Sequence, residues 1–411
     1  MSLLDPTTPE GAEHRAWLEA ETDRLLEFAR GSAHPAGGFG WRDRSGGLDA
    51  DRGRPLWIGC RMVHCLALGA LLGREGYAAA AADGVAALGT AYRDDAHGGW
   101  WSDADRPGEG RKEAYGHAFV ILAGASATVA GVEGGRALLD EALATYLEHF
   151  WDDEAGMPFE SWAPDWTDLE DYRGGNAAMH TLEAFLAAAD ATGDIAWRER
   201  ALRIASRVLG AAAEYGDRIP EHFDAQWDVL PDYNIDTPRH PFRPYGATPG
   251  HAFEWARLVL TLDAQHDVPA SFRAGVERLA ATAWDDAWDE EIGGLIYTTD
   301  LSGSPVVRER FHWVECEAMG AAWALHLVTG DEAWAQRYDA VTAWTREHLI
   351  DPALPGGWRA ELSPTNDDVQ TTWTGAPDVY HALQAVLLPQ LPLAPGIALA
   401  LKERHPRETP E

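Results

Sequence analysis

Gly98-Gly99-Trp100-Trp101 recurs along this chain as Gly37-Gly38-Phe39, Gly156-Met157-Pro158-Phe159, Gly293-Gly294-Leu295 and Gly356-Gly357-Trp358. Each copy joins glycine, which enters left-handed backbone freely, to an aromatic or apolar residue, and so predicts a tight hairpin. Successive copies lie 58 to 63 residues apart, except for the 137 residues between Gly156 and Gly293. That gap spans two periods and places a glycine-free copy near Glu221-His222-Phe223. Between the hairpins, apolar residues return at i, i+3, i+4 and i+7, the period of amphipathic helices. Twelve are predicted, over about 15–30, 57–74, 77–93, 113–130, 136–151, 174–192, 195–213, 248–266, 270–287, 312–328, 332–349 and 373–390. They pair through short turns such as Gly73-Arg74-Glu75-Gly76, Gly193-Asp194 and Gly330-Asp331, where one helix stops and the next is capped. A helical hairpin cannot bury its apolar face alone, so the repeats must stack. The expectation is an all-α (α/α)6 barrel of twelve helices in six hairpin repeats, with short β-hairpins in the long loops. Both chain ends continue the pattern without polar caps, which favours closure over an open solenoid. Residues 1–411 are then one domain with a peripheral tail from about Leu391.

Composition narrows the function. The 66 acidic against 33 basic residues give a formal charge of −33, a field that repels nucleic-acid phosphates and anionic lipid headgroups. With 46% hydrophobic residues and 19 tryptophans the chain is globular rather than disordered. Cys60, Cys65 and Cys316 lack metal or redox spacing and predict reduced, buried thiols. The opening Met1-Ser-Leu-Leu-Asp-Pro6 has no apolar leader, and prolines 389, 392 and 395 interrupt the longest charge-free stretch. A cytoplasmic protein without a membrane span is expected, and nothing in the sequence separates a monomer from a homo-oligomer.

Polar residues fall on the even-numbered helices, mostly in their first two turns. The second begins Trp57-Ile-Gly-Cys-Arg61, the fourth contains Tyr115 and His117, and the sixth contains Asn176 and His180. The eighth begins Gly250-His251-Ala-Phe-Glu254, the tenth His312-Trp313-Val-Glu315-Cys-Glu317, and His381 lies further along the twelfth. In an alternating barrel these helices form an inner ring with their N-termini at one mouth, so six separate segments converge on one pocket. Helix N-termini there favour developing oxyanions. Arg61 is read either as a ligand for substrate or as half of a buried ion pair with Glu317. His251 and Glu254 share a face at i, i+3, as do Asn176 and His180 at i, i+4. Two chemistries fit: a metal site of His180, His251, Glu254 and His381, or metal-free proton transfer by imidazoles of near-neutral pKa. Without a dense carboxylate cluster or a His-Glu-x-x-His motif, proton transfer is preferred, and no cofactor is expected.

The strings Arg173-Gly-Gly-Asn-Ala-Ala-Met-His180, Phe242-Arg-Pro-Tyr-Gly-Ala-Thr-Pro-Gly-His-Ala-Phe-Glu-Trp255 and Pro377-Asp-Val-Tyr-His-Ala-Leu-Gln384 resemble the N-acylglucosamine 2-epimerase superfamily. The resemblance runs from about Trp57 to Pro389 and is greatest to the aldose–ketose isomerase branch, which holds mannose and sulfoquinovose isomerases. It implies an (α/α)6 barrel and a monosaccharide substrate. It also implies that His251 and His381 form the acid/base pair, assisted by His180 and Glu254, with Trp57, Arg61, Tyr115, Asn176, Arg243, Trp313 and Glu317 around the sugar. Aldose becomes ketose when a base takes the C2 proton of the opened sugar and returns it to C1 on the same face, through a cis-enediol. Phe311-His-Trp-Val-Glu-Cys-Glu317 departs from the Trp-Trp pattern of the epimerase branch. Near Arg359 no amide partner accompanies the arginine for a sulfonate. A neutral hexose, mannose to fructose, is therefore expected over a 2-epimerase or sulfoquinovose isomerase. An inverting glycosidase using Glu254 and Glu317, or a non-catalytic sugar-binding protein, are the further alternatives.

Overall fold

The computed structural model describes residues 2–404. Among them are thirteen α-helices: α1 Pro9–Arg30, α2 Leu56–Leu71, α3 Tyr77–Leu88, α4 Ala114–Ala130, α5 Gly135–His149, α6 Gly175–Thr192, α7 Ala196–Glu214, α8 Pro249–Asp263, α9 Ser271–Ala287, α10 His312–Thr329, α11 Glu332–His348, α12 Tyr380–Leu387 and α13 Ile397–Arg404. Local chemistry sets their ends. Thr8 caps α1 by accepting from the Gly11 amide, with Pro9 in the first turn, and Gly131, Gly193 and Gly330 close α4, α6 and α10 in left-handed backbone.

The even- and odd-numbered helices of α1 to α12 form two concentric rings. The outer α7 buries Trp197, Ala201, Ile204, Ala205, Val208 and Ala212, a stripe three to four residues apart, whereas the inner α2 is buried on nearly every side. Around the inner ring α2 packs on α4, α4 on α6, α6 on α8, α8 on α10 and α10 on α12, and α12 returns to α2. The barrel is therefore closed, as the helix count requires. No described helix is long and apolar enough to cross a membrane, and all three cysteines are buried and unpaired.

The hairpins form where the repeat places them. Arg93 bridges Trp100 across a turn in which Gly98 and Gly99 have φ of 77° and 73°. The glycine-free copy exists as well: Phe223 bridges Val229, and Trp227 takes the left-handed position with φ 67°. Each long loop also nails down an inner helix. Lys112–Glu113, just before α4, pairs with Ser161–Trp162 of the following loop. Tyr172–Gly174, before α6, pairs with His222–Asp224, and Arg310–Phe311, before α10, pairs with Glu361–Leu362. The ring's seam is sewn in the same way, by Arg42 bridging Ala376 across almost the whole chain.

Two expectations need correction. The twelfth helix does not start near 373; residues 373–379 are an extended loop whose Pro377 disfavours helix before it, and Asp378 caps the helix through the Tyr380 amide. His381 thus stands in a first turn like its counterparts. The tail from Leu391 does not simply wrap the outside, because α13 packs on α2, α4 and α6 and closes the barrel's lower end. Its last residues, 405–411, lie outside the described part.

Candidate active site

The six inner helices run parallel, and their first turns, with the long loops, line a cavity open to solvent at the barrel mouth, with about 870 Å³ of empty space. Trp57, Arg61, Tyr115, Asn176, His180, His251, Glu254, Trp313 and His381 all line it. Burial turns these residues into a coupled set. Arg61 donates through Nη1 to Asp378 and through Nη2 to the Tyr115 hydroxyl, both at 3.0 Å. Its guanidinium also lies over the rings of Phe119 and Tyr380, 4.5 and 4.6 Å from their centroids. Burial would raise the Asp378 carboxyl, but the Arg61 cation, together with the His381 and His312 rings and the Tyr380 amide, holds the group below the usual carboxylate range.

Three histidines share one arrangement, with Nδ1 on a carboxylate and the ring at the cavity. His251 Nδ1 lies 2.9 Å from Glu221 Oε1, His381 Nδ1 lies 2.8 Å from Glu317 Oε1, and His180 Nδ1 lies 3.0 Å from Glu183 Oε2. That contact leaves Nε2 as the nitrogen free to exchange a proton with a ligand. Burial pushes the His381 imidazole well below its ordinary pKa, with the Arg61 charge acting in the same direction, and burial lowers His180 too. Trp313 sits between the outer pair, its ring 5.1 Å from His251 and 5.8 Å from His381. Glu254 is fully buried, and neither of its oxygens has a hydrogen-bond partner among the described residues. Burial, then the neighbouring Glu317 and Glu183 carboxyls, raises its pKa well above the usual range. A neutral carboxylic acid facing the cavity can donate a proton to a ligand oxygen.

The mouth is roofed by aromatic side chains. Trp41, Trp57, Phe242 and Trp373 meet largely edge to face, with Phe242 5.2 Å from Trp373 and Trp41 5.3 Å from Trp57. Trp41 and Trp373 come from opposite ends of the chain and are brought together by the Arg42–Ala376 bridge.

Residues 37–385 match the model of the N-acylglucosamine 2-epimerase (GlcNAc 2-epimerase) family. The chain belongs to that family. It is 47% identical to a D-mannose isomerase of Thermobifida fusca over 397 residues, covering 95% of this chain and 97% of the relative. A D-mannose isomerase of Pseudomonas cannabina pv. alisalensis is 44% identical over 401 residues, covering 94% and 95%. Among solved structures, a D-mannose isomerase crystal structure superposes with a TM-score of 0.86 at 28% identity, covering 91% of this chain and 97% of that one. A cellobiose 2-epimerase from Spirochaeta thermophila has a TM-score of 0.80 at 22% identity, covering 93% and 98%, and shares the fold.

Two sequence-predicted site residues of this epimerase-family chain do not line the cavity. Arg243 is occupied by Glu170, at 2.7 and 3.0 Å, and lies over the Tyr172 ring, while its neighbours Phe242 and Pro244 line the cavity instead. Glu317 lies beneath the cavity and pairs with Arg257 and His381; the partner of Arg61 is Asp378, not Glu317. Ligand atoms of Glu254, Glu317 and His381 fall within 4.8 Å of one another. That is short of the ~6.5–9.5 Å between carboxyls that an inverting glycosidase needs for its water. The alternative four-residue metal set is not assembled among the described residues: His251 belongs to neither of the two clusters with metal-ligating spacing, His180–Glu183–Glu254 and Glu254–Glu317–His381. Two residues not named from the sequence, Glu183 and Arg257, belong to the site, and their signal is the i, i+3 spacing at which they follow His180 and Glu254. Glu221 carried no local signal as a histidine partner, since it reaches His251 from another repeat.

Proposed function

We propose that this protein is an aldose–ketose isomerase converting D-mannose reversibly to D-fructose. The observation that carries the reading is the pair His251 and His381 on one cavity, each with Nδ1 held by a buried carboxylate and Nε2 left for substrate. The two isomerase relatives, 47% and 44% identical across nearly the whole chain, support the same substrate.

The chemistry divides among the lining residues. Glu254, as a neutral acid, protonates the ring oxygen while His180, backed by Glu183, accepts the proton of the anomeric hydroxyl, and the ring opens to the free aldehyde. A neutral imidazole, His381, removes the C2 proton; the electrons of that C–H bond form the C1–C2 double bond of a cis-enediol as the aldehyde oxygen takes back the proton held by His180. Return of a proton to C1, with loss of the O2 proton to a base such as His251, gives the ketose. Arg61, fixed by Asp378 and Tyr115, contributes positive charge that stabilises enediolate-like oxygen. In each cluster with metal-ligating spacing one carboxylate is already committed, Glu317 to Arg257 and His381, and Glu183 to His180, Tyr380 and Gln384, while Glu254, common to both, is held as a neutral acid by burial. That commitment favours proton transfer by side chains.

The test is incubation of the purified protein with D-mannose in deuterated water, followed by NMR. Fructose should appear with deuterium at C1, and His381→Asn should abolish both product and exchange. Turnover of another aldose with none of mannose would overturn the substrate assignment.

A further inference from the structure

Beneath the cavity, acidic side chains from three inner helices converge on one cation. Glu183 of α6, Glu254 of α8 and Glu317 of α10 surround Arg257 of α8, and all four are buried. Arg257 does not line the mouth cavity. It lines a smaller one on the far side, with His64, Glu183 and Gln384, which the segment from Pro392 to Leu399 covers. A sugar held above is therefore not among its contacts.

Its geometry divides the two oxygens of Glu317. Arg257 Nε and Nη2 both donate to Oε2, at 3.2 and 3.0 Å, and Oε1 is left for His381 Nδ1 at 2.8 Å. Nη2 also stands 3.7 Å from Glu254 Oε1. A cation on Oε2 keeps Glu317 a proton acceptor although two other carboxyls crowd it. Nδ1 of a neutral His381 must then carry the ring proton, and the lone pair rests on Nε2. Without the cation, Glu317 would be buried among acids with no counter-charge and would take up a proton. It would then donate to Nδ1, and the ring proton would move to Nε2, where it blocks proton abstraction.

We propose that Arg257 is a positioning residue that, through Glu317, fixes the Nδ1–H tautomer of His381 and keeps its Nε2 lone pair available for the C2 proton of the sugar. The proposal deepens the isomerase reading and rests on it for the identity of that proton. The pair His251–Glu221 has no such cation among the described residues, so the two imidazoles are not equivalent.

Nitrogen-15 NMR of histidine-labelled protein, with His381 assigned by its loss in His381→Asn, reads the tautomer without substrate. Wild-type His381 should be Nδ1–H, and Arg257→Met should shift it to Nε2–H. In the same variant kcat should fall about 10- to 100-fold with KM for mannose unchanged. Arg257→Lys, which keeps the charge, should retain the wild-type tautomer and recover most of kcat. The double variant Arg257→Met/Glu317→Gln should be no slower than the slower single variant. A wild-type Nε2–H ring, an Nδ1–H ring in Arg257→Met, or losses that multiply in the double variant would each overturn the proposal. If Arg257→Met does not fold, the wild-type and Arg257→Lys spectra decide, since an Nε2–H ring in either is contrary. A wild type inert on both mannose and fructose would count against the isomerase assignment alone, because the tautomer is read independently.

Discussion

Glu221 Oε1 lies 2.9 Å from His251 Nδ1, although the two residues belong to different repeats. Glu221 immediately precedes the strand His222–Asp224, and its carbonyl accepts from the Gly175 amide at the start of α6. The backbone pairing that anchors α6 thus also aims a carboxylate at α8. Glu221→Gln keeps the shape and removes the charge that stabilises an imidazolium. It should lower kcat about 10- to 100-fold with little change in KM, as steady-state kinetics on mannose would show; an unchanged kcat would mean that orientation of His251 comes from elsewhere.

Asp378 serves α12 through one oxygen and Arg61 through the other. Asp378→Asn keeps a cap acceptor and strands a buried cation. Removing one partner of a buried pair costs about 3 to 5 kcal/mol, so chemical denaturation should show a loss of that order. A loss under 1 kcal/mol would mean that Tyr115 and the surrounding rings hold Arg61 unaided.

Glu315, on the first turn of α10, accepts the Leu295 amide at 2.7 Å through Oε1, and its Oε2 has no partner among the described residues. Burial pushes its carboxyl up to about 8. A folded-state pKa above the unfolded value means that the native state holds the proton more tightly. Its stabilisation is complete below the unfolded pKa and is lost as pH rises through the folded one. Thermal midpoints of the wild type should therefore decline between about pH 4.5 and 8 relative to Glu315→Gln, whose carbonyl still accepts from Leu295. Parallel profiles for the two proteins would refute a protonated Glu315.

Phe242 touches Trp57, Tyr115 and Trp373 by ring edges while 42% exposed at the mouth. An aromatic pair contributes about 0.5–1.5 kcal/mol beyond area, so Phe242→Ala should raise KM about 2- to 10-fold and leave kcat near the wild-type value. A fall in kcat alone would place Phe242 in the chemistry rather than the roof.

The architecture was legible because its signals are local: glycine pairs for the hairpins, helical period for the rings, and Gly or Asp at the short turns. Trp227 shows that even the copy without glycines obeys the same geometry. Nine of the eleven site residues named from sequence line the cavity because each lies in the first two turns of an inner helix, where barrel closure alone brings them together. The two that miss it fail for a non-local reason. Which acid claims Arg243, and which oxygen of Glu317 faces which partner, depends on loops and helices sixty or more residues away. The start of α12 was misplaced because the apolar pattern before Tyr380 belongs to the roof loop, which carries Trp373, and not to a helix.

The Arg42–Ala376 bridge brings Trp41 and Trp373 together over the cavity, and His381 follows a few residues later. A nascent chain can therefore complete eleven helices and still have neither a closed roof nor its last imidazole. Binding and turnover should arise only once the C-terminal segment has left the ribosome, so that an immature chain cannot hold a half-opened, reactive aldehyde.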